Sequence, residues 1–251
     1  MVGRLQSKVV IVTGGATGIG RAVAGLVVAD GGAVVIAGRR EAAGEQAAAE
    51  LRKGGGQALF VATDVTVERE AERLVEAAVA EFGRLDGAVN NAGGVTAAGP
   101  LPTVADEAWQ AELRQNLTSV FYSMKHQIPA MTGGGSIINN ASIGGVRGIP
   151  GLGAYVAAKH GVVGLTRSAA LEGAARGVRV NALVTGNVDT PLYRSLIGAP
   201  PEGELAGPAP NPTGRVSSPD EIASFVTYLL SDEAAFITGA ALAIDGGATA
   251  Q

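Results

Sequence analysis

The chain has 251 residues, of which 47% are hydrophobic and 17% are charged, and its formal net charge is −4. A chain of this length and composition can bury the core of one α/β domain, so we expect a single domain over residues 1–251. The acidic balance and the absence of a long basic run argue against nucleic acid or an anionic membrane as a partner.

The sequence contains no cysteine and only two histidines, His126 and His160. Disulfides, thiolate nucleophiles and Cys-ligated metals are therefore excluded. The two histidines lack an HExxH spacing, which disfavours a zinc site or a Ser-His-Asp triad, and we expect no metal. The first apolar run, Val9–Val12, is too short for a signal sequence, and no stretch has the length of a membrane span. We therefore expect a cytoplasmic protein.

Short apolar runs alternate with longer helical patterns, which is typical of a parallel sheet with crossover helices. The predicted strands lie near 8–13, 33–38, 57–63, 85–90, 135–141, 178–184 and 240–244. The predicted helices lie near 18–30, 41–54, 67–82, 104–131, 155–176 and 219–231. Several strands are apolar on both faces, as a sheet covered on both sides requires. The pattern predicts a doubly wound, seven-stranded parallel sheet of the Rossmann type.

Two segments carry explicit boundary signals. The run Ser218-Pro219-Asp220-Glu221 has the form of a capping box with proline at the first helical position, so a helix should begin there. The stretch 197–214 is rich in Gly and Pro and weakly patterned. A long loop of this kind in a compact domain is usually a lid or a binding loop, which predicts a substrate loop near 191–215.

A glycine-rich turn, Gly14-Gly15-Ala16-Thr17-Gly18-Ile19-Gly20, joins the first predicted strand to the first predicted helix. Exposed amides and the helix dipole at such a turn favour a pyrophosphate, and the glycines allow its close approach. The spacing is TGxxxGxG rather than GxGxxG or the phosphate-loop pattern GxxxxGK[ST]. A turn required only for packing is the alternative.

Tyr155 and Lys159 stand four residues apart in a predicted helix, so their side chains are neighbours on one face. A cation beside a tyrosine stabilises the phenolate, which is the tuning that a general acid/base needs near neutral pH. A chance surface pair is the alternative.

Two further polar residues occupy informative positions. Asn116 lies against the apolar stripe of helix 104–131, where its amide needs a partner, either at an active site or as a satisfied core amide or helix-kink residue. Ser142 follows the fifth strand, and residues at the carboxyl ends of parallel strands face the ligand crevice. Read alone, it would be an ordinary turn serine.

Taken together, these motifs resemble the short-chain dehydrogenase/reductase family, with a likeness to 3-oxoacyl-carrier-protein reductase-like carbonyl reductases. The resemblance covers essentially the whole chain and follows the order of the family's motifs. They are Thr13–Gly20, Asp64-Val65, Asn90-Asn91-Ala92-Gly93, Asn116, Ser142, Tyr155 with Lys159, and Asp245-Gly246-Gly247. Thr185-Gly186 stands where the family usually has Pro-Gly.

The resemblance implies interconversion of a ketone and a secondary alcohol by hydride transfer with a nicotinamide cofactor. Tyr155 would donate or accept the proton, and Ser142 would hydrogen-bond the same substrate oxygen. Lys159 would hold the nicotinamide ribose and depress the pKa of Tyr155. Asn116 would anchor a water that links Lys159 to solvent. The alternatives are a dehydratase or epimerase on the same scaffold, or a nucleotide-sensing protein without catalysis.

The resemblance also implies a set of cofactor contacts. Residues expected along the nucleotide are Gly14, Thr17, Gly18, Ile19, Gly20, Arg39, Asp64, Val65, Asn91, Ala92, Gly93, Tyr155, Lys159, Gly186, Val188 and Thr190. NAD-preferring relatives carry an acidic residue where Gly38 stands, and Arg39 follows it. We therefore expect NADP(H) to be favoured over NAD(H).

The substrate pocket is expected to be mostly apolar and to accept a small-molecule ketone or alcohol. Its predicted wall consists of Val95, Ile143, Leu152, Gly186, Asn187 and the loop from Leu192. By family resemblance we also expect a homotetramer. Helices 104–131 and 155–176 should form one contact across a two-fold axis, and Ala240–Gln251 should form a second.

Overall fold

A computed structural model describes residues 3–203, 205, 209 and 211–250. Residues 1, 2 and 251, at the two ends of the predicted domain, lie outside the described residues, and residue 251 also ends the predicted C-terminal contact. Residues 204, 206–208 and 210 of the predicted substrate loop lie outside them as well.

The described residues form a seven-stranded parallel sheet with the strand order β3-β2-β1-β4-β5-β6-β7. The strands are β1 Val9–Thr13, β2 Ala33–Gly38, β3 Gln57–Ala62, β4 Gly87–Asn90, β5 Gly135–Asn140, β6 Val178–Thr185 and β7 Ala241–Ile244. The predicted doubly wound parallel sheet is confirmed, and each strand lies within about two residues of its predicted bounds.

Helices cover both faces of the sheet. They are α1 Gly18–Ala29, α2 Glu41–Lys53, α3 Glu68–Phe82, α4 Asp106–Leu113, α5 Ser119–Ala130, α6 Gly153–Gly173, α7 Pro191–Leu196 and α8 Pro219–Leu230. Helices α1, α2 and α8 pack on one face and α3, α5 and α6 on the other. Alternate side chains of the inner strands enter the two cores, as Val10 and Val12 enter one and Ile11 the other.

The predicted helix 104–131 is confirmed as a continuous helical segment over residues 106–130, but its α-helical repeat is interrupted once. A 3₁₀ turn at Leu101–Thr103 precedes α4, and a π-helical turn at Arg114–Thr118 separates α4 from α5. The π turn inserts an extra residue into the helical repeat. The sequence periodicity does not reveal it, because apolar residues still recur at helical spacing across it, at Leu113, Leu117, Val120 and Met124.

One further helix and the substrate loop differ from their predicted form, and one helix start is confirmed. Helix α6 begins at Gly153, before the predicted start at 155, and ends in a 3₁₀ turn at Ala174–Arg176. The predicted substrate loop contains α7, whose cap is Thr190 and whose first residue is Pro191. The capping box before α8 is confirmed, since Ser218 and Glu221 each bond the other's backbone N–H.

Candidate active site

A cleft of about 450 Å³ opens at the carboxyl ends of the strands. Its base lies where the strand order changes direction between β1 and β4, the usual ligand position in open α/β sheets. Most of the predicted site residues line it: Gly14, Thr17, Gly18, Ile19, Arg39, Asp64, Val65, Asn91, Ala92, Gly93, Ser142, Tyr155, Lys159, Gly186, Val188 and Thr190. Gly20 and Asn116 are buried behind this wall.

The glycine turn is shaped by two left-handed residues, Gly14 with φ of 67° and Gly18 with φ of 54°. Gly20 serves packing rather than the cleft surface, because a Cβ there would lie 2.3 Å from the carbonyl oxygen of Gly14. The N-cap residue Thr17 makes no side-chain capping bond among the described residues. The first amides of α1 therefore remain available to an anionic ligand.

The segment after β4 is tied to β1 and β5. The hydroxyl of Thr13 accepts hydrogen bonds from the backbone N–H groups of Asn91, at 2.9 Å, and Ala92, at 3.0 Å. The Asn91 side chain donates to the carbonyl of Thr13 at 3.1 Å and accepts from the amide of Asn140 at 3.0 Å. The asparagine-rich motif thus fixes the floor of the cleft across three strands.

Tyr155, Ser142 and Lys159 meet at one end of the cleft. The Ser142 side chain lies close enough to Tyr155 to lower its pKa, and the Ser142 Oγ accepts from the backbone N–H of Gly144 at 3.1 Å. Ser142 has φ of 155° and ψ of 164°, a conformation that L residues rarely adopt and that is often found at functional sites. The Lys159 Nζ lies 5.6 Å from the centroid of the Tyr155 ring. The structure therefore brings together a phenol, a hydroxyl and an ammonium, as the sequence motifs predicted.

The pKa values of this pair are moved mainly by burial. Burial raises the pKa of Tyr155, the nearby Ser142 side chain lowers it, and the charge of Glu112 raises it. Burial lowers the pKa of Lys159 to about 8, against a smaller raising effect of Glu112. The net shift of the Tyr155 pKa is therefore upward, because desolvation of the phenolate outweighs the favourable effect of Ser142.

Asn116 lies in the π turn and is fully buried. Its Nδ2 donates to the carbonyl of Gly94 at 2.8 Å and to Glu112 Oε1 at 2.7 Å, and its Oδ1 accepts from the N–H of Gly94 at 3.2 Å. Its side chain is therefore committed to the segment after β4. A π turn at a functional site is common, because it redirects backbone groups out of the regular helical ladder.

The end of β2 is open toward the cleft. Among the described residues no atom lies within 4 Å of the Cβ position of Gly38. Arg39 and Arg40 both line the cleft and are exposed. Arg40 donates to the hydroxyl of Thr17 at 3.2 Å, whereas Arg39 makes no hydrogen bond or ion pair with the described residues.

The substrate end of the cleft is mostly apolar. All six residues of the predicted wall line it: Val95, Ile143, Leu152, Gly186, Asn187 and Leu192. Ile149 lines it as well and was not predicted, whereas Tyr193 and Leu196 line it from the predicted loop that begins at Leu192. Tyr193 and Leu196 belong to α7, a short helix within the predicted loop.

Arg194 is a buried residue of α7 that fixes this helix to its flanking segments. Its guanidinium donates to both carboxylate oxygens of Asp189, at 2.5 and 2.7 Å, and to the carbonyls of Pro200, at 2.9 Å, and Gly203, at 2.8 Å. One buried arginine therefore joins the strand-to-helix connection to the segment that follows α7.

Two residues beside the reacting groups were missed. The backbone carbonyl of Asn140 accepts the Lys159 ammonium at 2.8 Å. Glu112 is fully buried beneath Asn116. The sequence did hold a signal for Glu112, because it lies four residues before Asn116 and three after Trp109, on the same helical face.

Comparison with known proteins identifies the family. A family model described as Enoyl-(Acyl carrier protein) reductase matches residues 14–249. The chain is 45% identical to 2,5-dichloro-2,5-cyclohexadiene-1,4-diol dehydrogenase of Sphingobium indicum over 98% of each chain. It is 44% identical to cis-4-hydroxycyclohexanecarboxylate dehydrogenase of Sinomonas cyclohexanicum over 97% of each chain. The crystal structure of levodione reductase superposes with a TM-score of 0.91 at 34% identity, over 98% of each chain.

The chain therefore belongs to the short-chain dehydrogenase/reductase family. It is an oxidoreductase that interconverts secondary alcohols and ketones with a nicotinamide cofactor. Across the part of the chain that the structure describes, no helix is both long and apolar enough to cross a bilayer. The same residues hold no cluster of three or more His, Asp or Glu side chains suited to a metal ion.

Proposed function

We propose that this enzyme is a dehydrogenase of neutral ring alcohols that favours NADP(H) and uses Tyr155, Ser142 and Lys159 for proton transfer. The observation that carries the proposal is the convergence of these three side chains at the apolar end of a cleft whose other end is a glycine turn.

The residues present fit a dinucleotide. The turn from Gly14 to Gly18 presents bare backbone to the cleft, and side chains would be crowded there, since a Cβ on Gly14 would lie 3.1 Å from Asn91 Nδ2 and one on Gly18 3.0 Å from Thr190 Cγ2. The uncapped amides of α1 would hold the pyrophosphate. When bound, the nicotinamide supplies or accepts the hydride. Thr17 and Ile19 would lie along the pyrophosphate, and Asp64 and Val65 beside the adenine.

The side chains of the protein would transfer one proton to or from the substrate oxygen. In ketone reduction the Tyr155 hydroxyl would protonate the carbonyl oxygen, and in alcohol oxidation the phenolate would take the hydroxyl proton. Ser142 would hydrogen-bond the same oxygen and stabilise its developing charge. The ammonium of Lys159 would stabilise the phenolate and bind the ribose beside it. Asn116 would not contact the substrate; its two hydrogen bonds to the Gly94 backbone would hold that residue at the edge of the cleft.

A ring alcohol without charge suits the substrate end best. The side chains that face it are mainly branched and aliphatic, such as Val95, Ile149 and Leu196. Arg194, the nearest arginine of the substrate loop, is fully engaged by Asp189 and two carbonyls, so it is not available to a substrate carboxylate. The two relatives quoted above act, by name, on hydroxyl groups of six-membered rings. The ring named for the first is neutral, whereas that of the second carries a carboxylate, to which the engaged Arg194 is not available here.

The preference for NADP(H) rests on the end of β2. A 2′-phosphate would meet no carboxylate at Gly38, and the Arg39 guanidinium would bind it with charge-assisted hydrogen bonds. We also propose the homotetramer expected above, because α5 and α6 carry exposed apolar side chains, Phe121 and Leu171. A cytoplasmic location remains a prediction of the sequence.

The test is a panel of neutral cyclic alcohols and ketones, their carboxylated analogues and straight-chain secondary alcohols, followed by nicotinamide absorbance with each cofactor. We expect the highest kcat/KM for neutral rings. Equal or higher kcat/KM for the carboxylated or the straight-chain compounds would contradict the proposed substrate class.

A further inference from the structure

Glu112 is the one buried residue of helix α4, and its side chain has no access to solvent. Burying a carboxylate is costly unless hydrogen bonds and a compensating charge stabilise it. The residue has no part in the proton transfer described above, so its environment needs an explanation.

Four donors surround the Glu112 side chain. Oε2 accepts from the backbone N–H of Thr96 at 2.6 Å, from the Thr96 hydroxyl at 2.6 Å and from the backbone N–H of Ala97 at 2.7 Å. Oε1 accepts from Asn116 Nδ2 at 2.7 Å. Two backbone amides and a side-chain amide can only donate in this arrangement. The site is therefore built for an ionised carboxylate, which only accepts.

The carboxylate holds the segment that borders the reacting groups. Val95, between the bonded residues Gly94 and Thr96, lines the cleft. A Cβ added to Gly93 would lie 2.8 Å from Asn116 Oδ1 and 3.6 Å from Lys159 Nζ. The glycine thus has the Glu112-bound asparagine and the lysine ammonium as neighbours, with no side chain between them.

The charge of Glu112 also acts on the reacting pair. Among the described residues, Glu112 is the charged group whose field acts on both Tyr155 and Lys159, and it raises the pKa of each. Lys159 itself is nearly fully buried, and its hydrogen-bond partner is a neutral carbonyl, that of Asn140. A second buried charge of opposite sign is what a buried ammonium requires.

We propose that Glu112 is a positioning residue that holds Asn116 and the segment 94–97 in place and supplies the buried negative charge that balances the Lys159 ammonium. This inference rests on the proposed roles of Tyr155 and Lys159. Glu112 is not expected to touch substrate or cofactor, because Asn116 and the segment 94–97 lie against both of its oxygens.

The decisive variant is Glu112→Gln, which removes the charge with little change of shape. Without that charge the Lys159 ammonium is less stabilised and the Tyr155 phenolate is less repelled, so both groups should titrate at lower pH. We expect both limbs of the pH profile of kcat/KM for alcohol oxidation to move to lower pH by about half a unit or more. A profile of folded Glu112→Gln that superimposes on the wild type would overturn the proposal.

Two matched variants separate charge from shape. Glu107→Gln removes an exposed carboxylate from the same helix and should leave the profile in place. Thr96→Val removes one donor to Glu112 but keeps the charge. It should lower the melting temperature without moving the profile. If Thr96→Val moves both limbs as far as Glu112→Gln does, the shift comes from the segment and the charge role is wrong.

A measurement on the wild-type enzyme is independent of whether Glu112→Gln folds. With ¹³C at the glutamate side-chain carboxyl, and the signal assigned through Glu112→Asp, the carbon should have the chemical shift of a carboxylate at pH 7.5. A protonated acid there would overturn the proposal. If the wild type turns over no alcohol, the proposed function fails instead, and this measurement still decides the state of Glu112.

Discussion

The ammonium of Lys159 donates a 2.8 Å hydrogen bond to the backbone carbonyl of Asn140, the last residue of β5. The side chain of Asn140 donates to Asn91 at 3.0 Å and accepts from the hydroxyl of Thr185 at 3.2 Å. The lysine is therefore fixed to the ends of three neighbouring strands. The sheet, rather than a flexible loop, determines where the cation stands relative to Tyr155.

Replacing Tyr155 with phenylalanine should remove the transferable proton while preserving the ring. We expect kcat/KM to fall by about 10²–10⁴-fold or more, because a positioned acid/base is lost. Cofactor affinity, measured by fluorescence titration, should change little. Tyr122→Phe on α5 is the matched control and should keep wild-type turnover. Half of the wild-type activity in Tyr155→Phe would refute the assignment.

Replacing Lys159 with methionine should change how stability depends on pH. The pKa of Lys159 is lowered to about 8, so below that pH the folded protein holds a desolvated ammonium. Between about pH 8 and 10.5 the folded state has released this proton while the unfolded chain retains it, so the wild type gains stability over the variant as pH rises. The change in their difference in unfolding free energy should be roughly 1–3 kcal/mol.

Denaturant titration of both proteins at pH 7 and pH 9.5 measures this difference. Lys53→Met, at the exposed end of α2, is the control and should not change with pH in the same way. A difference between Lys159→Met and the wild type that stays constant over this range would contradict the lowered pKa of Lys159. Turnover should be lost in Lys159→Met at both pH values.

Replacing Arg194 with alanine should loosen the substrate end of the cleft. The change removes four hydrogen bonds that tie α7 to Asp189, Pro200 and Gly203. We expect KM for the alcohol to rise by about fivefold or more with a smaller change in kcat, because α7 supplies cleft residues without taking part in proton transfer. Arg69→Ala on α3 is the control. A decrease in kcat alone would point to a different role.

The proposed homotetramer has a direct hydrodynamic test. Light scattering at micromolar concentration should give four times the chain mass of 25.0 kDa. Leu171 on α6 is 82% exposed, so Leu171→Glu should lower the mass if α6 lies in a subunit contact. Val79→Glu, on the exposed side of α3, should leave it unchanged. A monomer mass for the wild type would contradict the prediction.

The sheet was predictable because its strands are short apolar runs separated by turn residues, and the burial of β1 on both faces agrees with that reading. The candidate site was predictable where a motif stands directly after a strand, as Ser142 does. The π turn at Asn116 was not, because Leu113, Leu117 and Val120 recur at ordinary helical spacing across it.

Other features depend on contacts between distant parts of the chain. The pKa direction of Tyr155 follows from burial by segments that the sequence does not place beside it. Helix α7 is six residues long and rich in polar or aromatic side chains, so its periodicity is too weak to separate it from the surrounding Gly/Pro-rich loop. Glu112 was overlooked because a lone carboxylate on a helix usually faces solvent.

The predicted preference for NADP(H) depends on two residues at the end of β2, Gly38 and Arg39. The acidic residue that would bind ribose hydroxyls is replaced by Gly38, and no described atom lies within 4 Å of its Cβ position. Arg39 has no partner among the described residues and faces the cleft, whereas Arg40 bonds Thr17. A charge-assisted contact from Arg39 to a 2′-phosphate would contribute roughly 1.5–3 kcal/mol, or about 10–150-fold in affinity.

We therefore expect wild-type kcat/KM to be higher with NADPH than with NADH, and Arg39→Ala to reduce the ratio by about tenfold or more. Gly38→Asp should reverse the preference, because a carboxylate would repel the phosphate and accept from the ribose hydroxyls. Arg73→Ala, an exposed arginine of α3, is the control and should leave the ratio unchanged. If the wild type prefers NADH and Arg39→Ala does not alter the ratio, this interpretation of the β2 end is wrong.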